Sequence, residues 1–151
     1  IISILGLMLS GCVTSSDGVV SSLISNAEQG NAEAQLKLGE MYLVGEDVPQ
    51  DYKKAFEWFK KAAVQGNALA QINLGIMYFE GRAVEPDYRE TFKWFKKAAE
   101  QGDASAQYYV GSMYSTGHGV KQDNKKAAIW LRKAAEQGNT NAKSELKDIE
   151  K

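Results

Sequence analysis

The sequence predicts an all-α fold, a solenoid of about three 36-residue helical repeats closed at each end by a half-repeat cap. Three observations carry this. The first is self-similarity: residues 30–65, 66–101 and 102–137 superpose at a constant offset, and the first two share 21 of 36 residues without a gap. Unrelated segments would share roughly two or three, and a period of this size signals stacked supersecondary units. The second is periodicity. Ala34, Leu38 and Met41 recur as Ala70, Leu74, Met77 and as Ala106, Val110, Met113, at the spacing of one helix face. The third is punctuation. Asn31, Asn67, Asp103 and Asn139 suit helix N-caps, because their side-chain oxygens accept from unpaired backbone N–H groups. Gly30, Gly66, Gly102 and Gly138 before them suit the left-handed end of the preceding helix.

Residues 1–11, IISILGLMLSG, are apolar and small. They are too short to span a bilayer, which takes about 20 apolar residues. The chain opens without methionine, and this stretch reads as the apolar region of a secretory signal whose basic start precedes it. It runs into Leu9-Ser10-Gly11-Cys12, which resembles the bacterial lipobox, so residues 1–12 are expected to be a truncated lipoprotein signal ending in a lipidated Cys12. Thioether lipidation also accounts for a single cysteine in an oxidising envelope. The alternative is a buried cysteine in an ordinary N-terminal helix. Residues 13–17 read as a polar tether. Val13, where an Asp would retain a lipoprotein at the inner membrane, implies the periplasmic face of the outer membrane if the host has two membranes.

Residues 18–29 keep the repeat register in weakened form, with Val19, Leu23 and Ala27 preceding Ala55, Phe59 and Ala63 by one period and Ser22 in place of the Trp. This is the expected N-terminal cap. In each full repeat a first helix is followed by a turn (Gly45 to Val48 in the first copy) and a second N-cap at Asp51, Asp87 or Asp123. The second helix carries Trp58, Trp94 or Trp130 and ends in cations, which complement the macrodipole. Gly39, Gly75 and Gly111 lie inside the first helices, where glycine costs about 1 kcal/mol against alanine. Their recurrence predicts close packing, under the facing Trp. Residues 138–151 form a final first-type helix, with Ala142, Leu146 and Ile149 in the core register and Glu150 in place of Tyr42, Tyr78 and Tyr114 as a solubilising cap.

The repeat pattern A-x3-LG-x2-Y-x2-G-x2-V-x2-D-x3-A-x2-W-x2-KAA-x-QG is met at Ala34, Leu38, Gly39, Tyr42, Gly45, Val48, Asp51, Ala55 and Trp58, and again at Lys61, Ala62, Ala63, Gln65 and Gly66. It resembles the Sel1-like repeat, a relative of the tetratricopeptide repeat with a longer inter-helix loop. The departures are Thr91 for the second-helix Ala, Val110 for Leu, and Asp47 and Ala83 where the third copy has Gly119. The resemblance implies a right-handed α/α solenoid that serves as a scaffold for partners, with first helices lining the concave surface.

Comparison among the copies then locates a candidate site. On the first helices the varying positions are Glu33, Leu36, Glu40, Leu43; Leu69, Ile72, Ile76, Phe79; and Ser105, Tyr108, Ser112, Ser115. At roughly 100° per residue they form a stripe about 80° wide. The middle copy would place Leu69, Ile72, Ile76 and Phe79 on an open groove, extended by Tyr108, Tyr109, Leu36 and Leu43, with Glu33 and Glu40 at one end. Apolar patches of this kind mark contacts, and amphipathic segments dock in such grooves through spaced anchors. Two other readings compete: packing against the neighbouring first helix, and a homodimer face.

No cofactor, metal or catalytic constellation is expected. One His (His118) and one Cys cannot make a cysteine-rich zinc site, and no nucleophile-elbow or phosphate-loop pattern occurs. Asp51, Asp87 and Asp123 recur as caps rather than as paired carboxylates. A formal net charge of −1 argues against nucleic acid. The expected function is a non-catalytic, lipid-anchored scaffold in the bacterial envelope that binds a protein or peptide. The alternatives are a surface-exposed or secreted factor for a host protein, and an envelope-polymer or β-lactam hydrolase. Cysteine-rich relatives linked to the latter carry a cysteine pair per repeat, which this chain does not.

Overall fold

The computed structural model describes residues 15–151. Among these residues the secondary structure is helical throughout: α1 (Ser15–Glu28), α2 (Ala32–Val44), α3 (Tyr52–Val64), α4 (Ala68–Glu80), α5 (Tyr88–Glu100), α6 (Ala104–Thr116), α7 (Asn124–Glu136) and α8 (Thr140–Ile149). Residues 1–14, with the signal, Cys12 and the first two residues of the tether, lie outside the described residues. The last three residues assigned to the tether are helical, since α1 starts at Ser15.

Local chemistry sets the helix bounds. Asn31 Oδ1 accepts the Ala34 N–H at 2.8 Å, and Asn67, Asp103 and Asn139 repeat this bond at 2.9, 2.8 and 2.9 Å. Asp51 accepts from Lys53 and Lys54, Asp87 from Arg89 and Glu90, and Asp123 from Lys126. Accepting these N–H bonds favours a charged carboxylate, and the Asp123 carboxyl is accordingly held below the usual range, chiefly by the Lys126 backbone N–H. The four glycines that precede the first-helix caps all have positive φ. Each inter-helix loop is closed by one backbone bond: the N–H of Asp51, Asp87 or Asp123 donates to the carbonyl of Tyr42, Tyr78 or Tyr114 at 2.9–3.0 Å.

Each helix packs on its chain neighbours, and α6 also meets α8. The core follows as three clusters along the stack. Ala27, Ala34 and Leu38 lie at the N-terminal end, with Leu23, Ile24 and Trp58 against them. Phe59, Leu74, Met77 and Trp94 belong to the middle cluster, and Phe95, Val110, Met113 and Leu131 to the last, where Leu146 and Ile149 of α8 complete the C-terminal end. Val19 is 66% exposed, so only Leu23 and Ala27 of the expected N-terminal register face the core.

The helix glycines do mark close packing, but not under the Trp. A Cβ on Gly39 would lie 2.6 Å from the Phe59 ring, on Gly75 2.7 Å from Phe95, and on Gly111 2.7 Å from Leu131. The next residue after each Trp fills the glycine notch. A step of one residue turns a helix by about 100°, which puts the Trp on the flank of this contact. Only Trp94, with a repeat on either side, is fully covered; Trp58 and Trp130 are half-buried.

The core also holds a polar series. Gln35, Gln71 and Gln107 are buried on the first helices. Each donates to a carbonyl of the preceding helix: Gln35 to Ala27, Gln71 to Ala63 and Gln107 to Ala99, at 3.0, 3.1 and 3.3 Å. Each then accepts from the glutamine that ends the next helix, Gln65, Gln101 or Gln137, at 2.7, 2.9 and 2.8 Å. A buried amide must find partners or cost roughly 1–3 kcal/mol, and here both ends are satisfied. The relay ties three consecutive helices together at every repeat junction. Thr91, the departure from alanine on α5, is fully buried and bonds its own helix through Oγ1 to the Asp87 carbonyl at 2.9 Å.

Candidate functional site

The varying stripe of the first helices divides into core, flank and open groove. Leu36 is 6% and Ile72 9% exposed, so both are core residues; the expectation that they line an open surface is corrected. Leu36 belongs to the middle core cluster and Ile72 to the last. Leu43 is half-buried against the middle cluster, and Glu33 is engaged at the repeat junction, accepting from Asn67 Nδ2 at 2.8 Å. Leu69 stands 55% exposed in the first turn of α4, apart from the groove described next.

Ile76 and Phe79 of α4 do face an opening. With Phe95 of α5 and with Tyr109, Ser112, Met113 and Thr116 of α6 they bound a depression of about 380 Å³, edged by Glu80 and His118. Its floor is aromatic: Phe95 and Tyr109 stack with centroids 4.7 Å apart at 22°. Tyr108, half-buried, tilts against Tyr109 at 5.5 Å and supports it from beyond the groove. Burial, then the charge of Glu145 and the neighbouring Tyr109, raises the Tyr108 phenol above its ordinary value, so it stays neutral and donor-competent at physiological pH.

The groove has an aromatic rim that the stripe did not foretell. Phe79 meets Tyr88 at 5.5 Å, and Tyr88 meets His118 at 5.4 Å. Phe79 and Tyr88 are both strongly exposed, at 51% and 43%. His118 comes from the α6–α7 loop, its Nδ1 2.9 Å from Thr116 Oγ1. It therefore belongs to the edge of the site, not to bare loop surface. The signal available in the sequence was a bulky pair at Phe79 and Tyr88, but their meeting depends on the loop path. The only charge at the edge, Glu80, is paired with Arg82 at 2.6 Å. The groove offers apolar area with a few hydroxyls. Among the described residues no cluster of His, Cys, Asp or Glu could hold a metal ion, and no helix is long and apolar enough to cross a membrane.

Stacked two-helix units joined by capped loops, with a side groove, define an α/α repeat solenoid. A family model for the Sel1 repeat matches residues 32–67, 68–103 and 104–139, two residues later in phase than the glycine-to-glutamine copies. The chain belongs to the Sel1 repeat family. A Sel1 repeat protein from Oxalobacter formigenes of known crystal structure is 41% identical, with TM-score 0.80, over 86% of this chain and 98% of its own. The crystal structure of c5321, a protective antigen of uropathogenic Escherichia coli with an SLR fold, is 48% identical with TM-score 0.79, over 81% of this chain. This chain spans about a quarter (26%) of that protein. Cysteine-rich protein B of Helicobacter pylori, at 20% identity and TM-score 0.66, shares the fold. No match is found among curated protein sequences. Sel1 repeats generally build protein-interaction scaffolds.

Proposed function

We propose that this chain is a non-catalytic scaffold that docks a protein or peptide segment in the groove between α4 and α6. We further propose that it is held in the bacterial envelope by lipid on Cys12. The observation that carries the docking role is the exposed Phe79–Tyr88–His118 rim beside an apolar floor. A protein surface leaves such aromatic area open where another molecule covers it. A helical or extended segment with one large apolar anchor fits a depression of this volume.

The test is site-specific photocrosslinking in cells from Thr116 in the groove and from Val44, exposed on α2, as control. A defined adduct is expected from Thr116 alone, and Phe79→Ser should weaken it about tenfold, as the loss of one exposed anchor. Phe79 is exposed, so the substitution leaves the fold in place. The same adduct at full strength from Val44 or from the Phe79→Ser chain defeats the groove as the docking place. The anchor is tested apart from this. A fatty-acid probe should label the full chain and leave Cys12→Ser unlabelled; equal labelling of both removes the lipid assignment.

A further inference from the structure

The cations of this chain are segregated. The second helices α3, α5 and α7 carry twelve of the 18 Lys and Arg but only four of the 19 Asp and Glu, net +8 on 39 residues, against −9 for the rest. The net charge of −1 conceals this division.

Three positions on the solvent side of these helices are cationic in every copy. One triplet is Lys61, Lys97 and Lys133. Each lies in the last turn and over the ring of Trp58, Trp94 or Trp130, at 4.1, 5.5 and 4.7 Å, so the macrodipole and cation–π contact explain it. The other two triplets have no such account. Lys53, Arg89 and Lys125 sit in the first turn, where the macrodipole disfavours cations, and none has an ion pair among the described residues. Lys60, Lys96 and Arg132 precede the last turn; among the described residues Lys60 has no ion pair, and Lys96 and Arg132 meet exposed carboxylates. In both triplets Lys and Arg interchange between copies while the charge persists. The adjacent position, Lys54, Glu90 and Lys126, does not keep its sign. Packing cannot hold exposed positions to one charge, so an external anion is what they have in common.

We infer that the face built by α3, α5 and α7 docks on the anionic headgroups of a lipid bilayer. Val64 and Ile129, 66% and 51% exposed, stand in the same stripe, at positions that hold Glu100, Glu136, Glu57 and Lys93 in the other copies. Long cations with apolar side chains between them match the headgroup boundary, where ammonium groups meet phosphate and the apolar bodies meet acyl chains. On α5 the ridge residues Arg89 and Lys96 point about 120° and about 100° away from the groove-floor residue Phe95, at about 100° per residue. Docking by the ridge therefore turns the groove away from the bilayer, toward a partner. This orientation needs neither the lipid on Cys12 nor the groove's occupant to be as proposed.

The test is flotation of the full chain, as Cys12→Ser so that no acyl group contributes, with vesicles containing phosphatidylglycerol and with vesicles of phosphatidylcholine alone. Binding to the first and not the second is expected, falling as salt rises. The combined Lys53→Gln, Arg89→Gln, Lys125→Gln chain should bind about 100-fold more weakly, at about fivefold per cation. The combined Lys37→Gln, Lys143→Gln, Lys147→Gln chain changes net charge equally but lies on α2 and α8, and should bind as the parent does. Equal loss in both chains, equal binding to neutral vesicles, or salt-independent binding overturns the inference. So does capture by polyglutamate in place of phosphatidylglycerol, which would assign the ridge to an acidic protein. Circular dichroism checks the fold of both variants, and the parent's salt and headgroup dependence decides the matter should one fail to fold.

Discussion

Gly75→Ala should destabilise the protein by about 2 kcal/mol, although alanine is the better helix former by about 1 kcal/mol. The added Cβ would lie 2.7 Å from Cδ1 and Cε1 of Phe95. That ring is 4% exposed and stacked on Tyr109, so any shift that relieves the contact breaks its packing in the core. Overpacking of about 3 kcal/mol therefore outweighs the propensity gain. Urea denaturation would give the midpoint shift. Phe95→Ala alone should cost about 3–5 kcal/mol, and the double variant should cost less than the sum by at least about 1 kcal/mol. Strict additivity would mean that the glycine is not there for the ring. Because Phe95 is also the groove floor, Gly75→Ala should loosen the docking site along with the core.

The second large effect is expected at Gly119→Ala, at about 2–4 kcal/mol. Gly119 has φ +69, a left-handed conformation that costs an L-residue roughly 1–2 kcal/mol. Its Cβ would also overlap the backbone carbonyl of Tyr88, which no rotamer change relieves. Asp47 and Ala83, at the same place in the first two loops, adopt φ 59 and 67 without glycine. Conformation alone is therefore tolerable, and the contact with Tyr88 is what excludes a side chain at Gly119. Ala83→Gly should accordingly shift stability by less than about 1 kcal/mol, because relief of strain opposes the greater freedom of the unfolded chain. Equal and small effects at both sites, in the same urea measurement, would show that the loop moves away from Tyr88 freely. A displaced loop carries His118 off the Tyr88 ring, so Gly119→Ala should also weaken the Thr116 crosslink.

Repetition made the fold legible. Each cap, Asn31 or Asp51 for example, acts on N–H groups two or three residues away, and three copies of the same signal exclude chance. The glutamine relay was present in the sequence as Gln35, Gln71 and Gln107 but had no local signature, because its partners lie eight and thirty residues distant. Of the varying stripe, Ile76 and Phe79 line the depression together with Tyr109, whereas Leu36 and Ile72 turn inward. Phe95, Tyr88 and His118 were not foreseen as its floor and rim.

The sequence by itself determined the period, the two helices of each repeat, their caps and the polarity of the second helices. All of these follow from interactions within a turn or two of one helix. The tertiary structure decided which neighbour fills the glycine notch, Phe59 rather than Trp58, and which stripe residues stay open. Both depend on the angle and offset at which one helix crosses the next. A few degrees of that crossing move a contact by a whole side chain, and no periodicity within a single helix records it.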